Sequence, residues 1–333
     1  MTTDRRSLLR AALALPAATA LPGARAATTA QADADANAPD LGGVSVLVTG
    51  CSSGFGYLGA LHYGALGAKV FATMRRTPRP EADALRRAGD EAGLDLTILD
   101  LDVTDDDSVA AAVADAEEAA GGALDVVVNN AGISYGGPIE MQDMAATRHL
   151  FDTNVFGPHR LARAALPAMR AAGRGHIVNV SSQLGRVIVP GFGQYSPTKF
   201  ALEAMSEQMA YEVAGHGVAV TIIEPGGYPT DIWANARALT DDLLARTPDA
   251  MQDAYAGYLA AMAGRGEAST DPMDVPRAIA AAIAAPPTKR SLRVAVHPTA
   301  RPQEAINEAS EATQRRLLAG MGMERTARAV FGG

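Results

Sequence analysis

From Val44 onward, short apolar runs bounded by turn residues alternate with longer amphipathic stretches, and no other feature of the sequence restricts the fold as much. VSVLVTG, KVFATM, LTILD, LDVVVNN, GHIVNVSS and VAVTIIEPGG read as strands, with LRVAVHP near Arg293 as a seventh. Their nearly unbroken apolar character is that of strands covered on both faces. Helical patterns lie between them: a segment from Gly54 to Leu66, PEADALRRAGDEAG, DDSVAAAVADAEEAAG, a long stretch from Met141 to Ala172, and KFALEAMSEQMAYEVAGHG. This order predicts an α/β fold, doubly wound, with a mainly parallel sheet of about seven strands and helices on both faces.

The 333 residues carry a formal charge of −8, and no Lys/Arg block extends beyond pairs such as Arg75-Arg76 and Arg315-Arg316. That balance argues against phosphate-backbone binding, so no nucleic acid partner is expected and a small molecule is. The six histidines form no HExxH or other close ligand pattern, and the lone Cys51 has no partner, so no metal site and no intramolecular disulfide are expected. Ser53 stands in CSSGFG and not in GxSxG, which leaves a nucleophile-elbow hydrolase without an anchor.

The N-terminal stretch MTTDRRSLLRAALALPAATALPGARA has a charged start, a short apolar run and small residues at Ala24-Arg25-Ala26. Residues 1–26 therefore read as a cleavable export signal, and Arg5-Arg6 followed by Leu8 and Leu9 resembles the twin-arginine type, which implies a periplasmic or exported protein. The alternative is a disordered basic tail and a cytoplasmic protein. The run is too short and too interrupted by proline to span a membrane. Residues 27–42 read as a polar linker, 43–298 as the α/β domain, and 299–333 as a C-terminal helical extension.

The first strand runs into TGCSSGFG, where Gly50, Gly54 and Gly56 permit a tight turn and let backbone N–H groups approach a pyrophosphate at the start of a helix. The second strand ends at Arg75-Arg76. A carboxylate there would accept hydrogen bonds from the adenosine ribose of a nicotinamide dinucleotide, whereas an arginine pairs with a 2′-phosphate, so NADP(H) is favoured and NAD(H) is the alternative. Surface cations without a ligand are the plain reading of the same pair. Cys51, inside the loop, reads as packing.

These motifs, together with Asp102-Val103, Asn129-Asn130-Ala131-Gly132, Asn154, Ser182, Tyr195 and Lys199 in YxxxK, and Pro225-Gly226 with Thr230, resemble the short-chain dehydrogenase/reductase family. Tyr195 stands thirteen residues after Ser182 and Lys199 four after Tyr195, as in that family. The strand VFATMR and the loop TGCSSG are similar to those of hydroxysteroid and retinol dehydrogenases. The resemblance implies a Rossmann fold and an NAD(P)-dependent oxidoreductase that interconverts a secondary alcohol and a ketone or aldehyde. A non-catalytic sensor or scaffold that binds the dinucleotide is the alternative function.

Residues four apart share a helix face, so Lys199 is expected beside Tyr195, with Pro197 tolerated only in the first turn. An adjacent ammonium favours phenolate, which predicts a tyrosine acid/base with a lowered pKa. Ser182 follows a strand, and the glycines and Pro190 after it let the chain return so that its hydroxyl meets the same substrate oxygen. The resemblance further implies that Lys199 holds the nicotinamide ribose and that Asn154 joins the proton path. It places Ser52, Ser53, Phe55, Asn130, Ala131, Gly132 and Val103 on the cofactor, Asp102 at the adenine and Thr230 at the carboxamide. Asp102 as a helix cap is the alternative. Asn129 is expected to border the cofactor but to be mainly structural.

A mobile helical lid is expected over 227–270, where Trp233, Leu239, Leu243, Tyr255 and Tyr258, with Ile133, Ser134, Tyr135 and Leu184, suggest a moderately apolar carbonyl or alcohol. The C-terminal extension reads as an exposed helix plus tail, packed on the lid or on a neighbouring subunit. The resemblance also implies a homodimer or homotetramer.

Overall fold

The computed structural model describes residues 39–257 and 269–332. The expected signal, most of the linker and Tyr258 of the expected lid lie outside the described residues. Seven strands, β1 (Ser45–Val48), β2 (Lys69–Met74), β3 (Leu96–Asp100), β4 (Val126–Asn129), β5 (Gly175–Val180), β6 (Val218–Pro225) and β7 (Arg293–Val296), form one sheet in the order β3-β2-β1-β4-β5-β6-β7. Every pairing is parallel, as the alternation of elements requires.

Successive strand residues point to opposite faces, which divides the core in two. Val46 and Val48 of β1, with Val70 and Ala72 of β2, pack beneath α1 (Gly54–Ala65), α2 (Pro80–Glu91) and α9 (Asp274–Ala284). Leu47 and Phe71 face α3 (Asp106–Ala120), α5 (Gly157–Ala172) and α6 (Tyr195–Val213) on the other side. After β3 the chain returns through α3 to β4, on the opposite side of β1. The connections from β1 and β4 therefore diverge, and a crevice opens at the carboxyl ends of the strands.

The stretch from Met141 to Ala172 is not one helix. It comprises a short turn at Ile139–Met141, α4 (Met144–Phe151), a π turn at Asp152–Phe156, and α5. Asp143 starts α4 by accepting from the Ala146 N–H at 2.7 Å. The π turn lets the Asn154 amide meet the main chain of Ile133, which a periodicity of 3.6 residues does not reveal.

A buried polar chain fixes α6 on the sheet. Asn129 donates to Asn179 Oδ1 at 2.7 Å, Asn179 donates to Ser206 Oγ at 2.7 Å, and Ser206 donates to the Leu202 carbonyl at 2.6 Å. Asn129 thus has the structural place expected of it.

In the C-terminal extension α10 (Glu304–Gly320) is largely exposed, with Leu318 its one buried residue, as expected, whereas the expected tail forms α11 (Glu324–Phe331), which docks behind α6, where Phe331 meets Tyr211 with ring centroids 5.9 Å apart. At the start of α10, Gln303 donates to the Glu224 carbonyl at 3.2 Å, and Asn307 donates to the Glu224 carboxylate at 2.7 Å and accepts from Arg186 at 2.8 Å. The Arg293 guanidinium joins Glu203 at 2.9 Å, Glu207 at 2.7 Å and Glu224 at 3.5 Å. One buried cation among three carboxylates leaves excess negative charge. Burial, followed by the charge of Glu203, pushes Glu224 up to about 7. Among the described residues no helix is long and apolar enough to cross a membrane.

Replacing Asn179 with Ala strands the Asn129 amide in the core and is expected to lower stability by about 2–4 kcal/mol in urea unfolding. Glu224 has its proton favoured by the fold, so its stabilising contribution is complete below the ordinary carboxyl value of 4.5 and is lost as pH rises through about 7. Relative to wild type, Glu224→Gln is therefore expected to gain thermal stability progressively between about pH 5 and about pH 8, as read by melting curves.

Candidate active site

A cleft of about 400 Å³ occupies the crevice at the carboxyl ends of the strands. Its first wall is the turn after β1. Gly50 has φ 74°, and a Cβ there would stand 2.9 Å from the Ala131 Cα, so only glycine lets the β1 and β4 loops approach this closely. Ser52, Ser53, Gly54 and Phe55 line the same wall. The start of α1 has no side-chain cap and no acid in its first turn, which leaves its N–H groups and positive end to an anion. Gly56 falls outside this lining. It is packed against the Gly50 carbonyl and the Asn130 amide, and shapes the wall from behind.

The second wall carries Arg75, Asp102 and Val103, as expected, and also Thr104 and Arg79, which no sequence motif marks. Arg76, whose backbone is left-handed with φ 61°, is not on it. Asp102 accepts from the Thr104 N–H at 3.0 Å and hydroxyl at 2.7 Å, while the side chain that caps α3 is that of Asp105 and not of Asp102. Burial disfavours the Asp102 carboxylate, but the Thr104 hydrogen bonds and the Arg75 and Arg76 charges outweigh it and hold the carboxyl below its ordinary value.

The floor is Asn130, Ala131, Gly132 and Ile133, with Thr230 opposite Gly54. The Thr49 hydroxyl accepts from the Asn130 and Ala131 N–H groups at 3.0 Å each, which sets this loop. Pro225 and Gly226 fall outside the lining. They pair with Val296 of β7, and Gly226 faces the His297 ring.

Behind Gly132 lie Asn154 and Lys199, with Asn154 Oδ1 3.4 Å and Lys199 Nζ 3.8 Å from where its Cβ would be. Tyr195 opens α6, which puts Pro197 in the first turn and Lys199 one turn on. The Lys199 ammonium donates to the Val180 carbonyl at 2.9 Å and stands 5.7 Å from the Tyr195 ring centroid. Ser182 Oγ accepts from the Leu184 N–H at 3.1 Å and lies within hydrogen-bond reach of the phenol. The expected set of Asn154, Ser182, Tyr195 and Lys199 is thus brought together, all of it buried.

The expected lowering of the phenol pKa is not observed. Burial pushes Tyr195 up to about 12, with the Ser182 hydrogen bond acting in the opposite direction. Lys199 is lowered to about 8 by burial, opposed by Glu203. Loss of water outweighs the Ser182 hydrogen bond at the phenol and the Glu203 charge at the ammonium.

Helices α7 (Ile232–Arg246) and α8 (Asp249–Ala254) occupy the expected lid, and Ile232, Asn235, Ala238 and Leu239 reach the cleft. Gly136 N–H donates to Thr240 Oγ1 at 2.9 Å, Arg246 pairs with Asp143, and Tyr255 donates to Glu140 at 2.6 Å. Leu243 packs with Tyr135 and Leu150, so Leu243 and Tyr255 fasten the lid. Trp233 packs on Phe192, centroids 5.9 Å apart, and Phe192 on Tyr195 at 6.3 Å. Two further residues carried no signal in the sequence: His149, on the cleft and 2.9 Å from the Tyr135 hydroxyl, and Gln142, which accepts from the Gln194 N–H at 2.8 Å just before Tyr195.

Among the described residues no group of three or more His, Cys, Asp or Glu side chains is placed to hold a metal. The buried Cys51 thiol donates to the Val48 carbonyl at 3.2 Å, and burial pushes it up to about 12, as suits a packing residue. The donor set fits a dinucleotide: a glycine cradle, an uncapped helix start and two guanidinium groups at the far end.

The short chain dehydrogenase family model matches residues 45–240. The uncharacterized oxidoreductase YusZ of Bacillus subtilis is 36% identical over 233 residues, covering 69% of this chain and 80% of that protein. Retinol dehydrogenase 8 of Bos taurus is 38% identical over 190 residues, which are 56% of this chain and 60% of the relative's length. A solved short-chain dehydrogenase from Streptomyces avermitilis has a TM-score of 0.62 at 32% identity, covering 84% of this chain and 98% of its own. A metagenomic short-chain oxidoreductase in complex with NADP also scores 0.62, at 28% identity, covering 78% and 99%. With a family match across more than half its length, the chain belongs to the short-chain dehydrogenase/reductase family of NAD(P)-dependent oxidoreductases acting on alcohol and carbonyl groups.

Proposed function

We propose that the chain interconverts an alcohol and the corresponding carbonyl compound, a secondary alcohol with a ketone or a primary alcohol with an aldehyde, with NADP(H), using Tyr195, Ser182, Lys199 and Asn154. The observation that carries this reading is the convergence of a phenol, a hydroxyl and an ammonium just behind the Gly132 floor of the cleft. The bound dinucleotide supplies or accepts the hydride. Tyr195 is protonated at neutral pH and gives its phenolic proton to the substrate oxygen in reduction. Ser182 donates a second hydrogen bond to that oxygen as negative charge develops on it. Lys199 keeps a positive charge beside the phenol and stabilises it when it is deprotonated. Asn154 holds the Ile133 main chain and Thr198, which fixes the floor relative to Tyr195.

Arg75 on the adenosine side supports a preference for the 2′-phosphorylated cofactor, as does the NADP complex of the metagenomic relative. Phe192 against the phenol, Trp233 on Phe192, and Ile133 and Leu239 on the cleft support a moderately apolar substrate, a class to which retinol, named for the bovine relative, belongs. A screen of carbonyls and alcohols with NADPH and NADH, read by cofactor absorbance, tests both preferences. Activity confined to NADH would overturn the first, and activity confined to charged carbonyl acids the second.

Tyr195→Phe is expected to lower turnover by at least about a hundredfold while NADPH binding, followed by fluorescence titration, persists. Carbonyl reduction by the wild type is expected to stay level up to about 8 and to decline above it, because the Lys199 ammonium loses its proton there while the phenol, at about 12, does not. Steady-state rates across the neutral and alkaline range check this, and Lys199→Arg is expected to move the decline to higher pH.

A further inference from the structure

The turn after β2 places Arg75, Arg76 and Arg79 within five residues, and two of them, Arg75 and Arg79, line the cleft beside Asp102. Arg79 precedes α2 in an extended conformation, φ −154°, and its Nη1 donates to the Arg75 carbonyl at 3.3 Å. The same guanidinium forks onto Glu81, with Nε to Oε2 at 2.8 Å and Nη2 to Oε1 at 3.0 Å. The side chains are 29% and 44% exposed. An ion pair this open to water does little for stability. Glu81 also sits favourably in the first turn of α2 without any help from Arg79. The fold itself therefore gives little reason for Arg79 to stand on the cleft wall.

The chemistry of the wall gives a better one. A guanidinium fork binds a carboxylate and a phosphate monoester through the same pair of N–H groups, and the phosphate carries the larger charge. In this structure Glu81 fills the fork. We propose that Glu81 and the 2′-phosphate of a dinucleotide compete for the Arg79 guanidinium, so that this ion pair sets how strongly the cleft prefers the 2′-phosphorylated cofactor. The inference rests on the NADP(H) reading above, with Arg75 as the other cation at the phosphate, and it adds a residue that supplies affinity and one that limits it. Glu81 lowers the affinity for every dianion at that position but leaves the rest of the adenosine site untouched. Its effect is thus confined to the 2′ substituent.

Isothermal titration with adenosine 2′,5′-bisphosphate and with 5′-AMP separates that substituent from the rest of the ligand without turnover. The wild type is expected to bind the bisphosphate more tightly. Glu81→Gln should tighten the bisphosphate about two- to fivefold and leave 5′-AMP unchanged. Arg79→Gln should weaken the bisphosphate by about tenfold, again without change in 5′-AMP, whose retained binding also reports an intact fold. The double variant should match Arg79→Gln alone, since removing the competitor has no effect once its target is gone. If the wild type prefers the bisphosphate but Glu81→Gln leaves that preference unmoved, or Arg79→Gln weakens both ligands alike, the competition is overturned and the NADP(H) reading stands. Equal binding of the two ligands by the wild type overturns both.

Discussion

The Asn154 side chain accepts from the Ile133 N–H at 2.9 Å, donates to the Ile133 carbonyl at 2.9 Å, and donates to the Thr198 hydroxyl at 3.1 Å. Thr198 in turn donates to the Tyr195 carbonyl at 2.7 Å. Through one buried amide, the loop that floors the cleft and the first turn of the catalytic helix become a single body. Each bond broken in such an interior exposes a buried group to a cost of about 1–3 kcal/mol, so the three together exceed the strain of an irregular turn. The π turn at Asp152–Phe156 follows from that balance. An extra residue in the turn changes the direction of Asn154 relative to a regular helix, and helix regularity yields to the amide.

A similar contest of magnitudes decides the proton chemistry. A neighbouring cation moves a pKa by about 1–3 units, whereas full burial moves it by up to about 3–5 in the opposite sense for a phenol. Tyr195 and Lys199 are both buried, and the ammonium spends a hydrogen bond on the Val180 carbonyl. Burial wins, and the resting site holds a protonated phenol beside an amine that gives up its proton more easily than usual. Such a pair is set to donate a proton. Alcohol oxidation, which requires the phenol to accept one, needs further positive charge close to the ring.

The strands and most helices were legible because a parallel sheet covered on both faces demands apolar runs at β1 to β6, and the glycine turn after β1 and the Tyr195-Lys199 spacing are local in the chain. What was not legible depends on contacts far apart in sequence. The apolar spacing from Met141 to Ala172 continues through the π turn, so periodicity shows no break, and the partner responsible, Ile133, lies on another segment. Arg76 and Arg79 are equally basic in the sequence. The backbone is left-handed at Arg76 and extended at Arg79, and it is Arg79 that joins Arg75 on the cleft, a difference that composition does not carry. Burial of Tyr195, with Phe192 packed against its ring, reversed the expected direction of its pKa shift, and no local pattern records burial.

The C-terminal helices bear on the same site from behind. Lys199 would lose its charge to burial more readily without Glu203, one turn further along α6, whose carboxylate opposes the shift. Glu203 can supply that charge only while Arg293 compensates it, and Arg293 is shared with Glu207 and Glu224. From the start of α10, Asn307 donates to the Glu224 carboxylate and Gln303 to its main-chain carbonyl. Glu224 immediately precedes Pro225, and Arg186 follows Ser182 by four residues, so the cluster joins the backs of the Ser182 loop, the catalytic helix and the end of β6. A buried cluster of this kind is a poor investment for stability alone, since an apolar core of the same volume would do as well. Of its members Glu203 is the one whose charge acts on Lys199, and Arg293 favours the ionised form of that carboxylate.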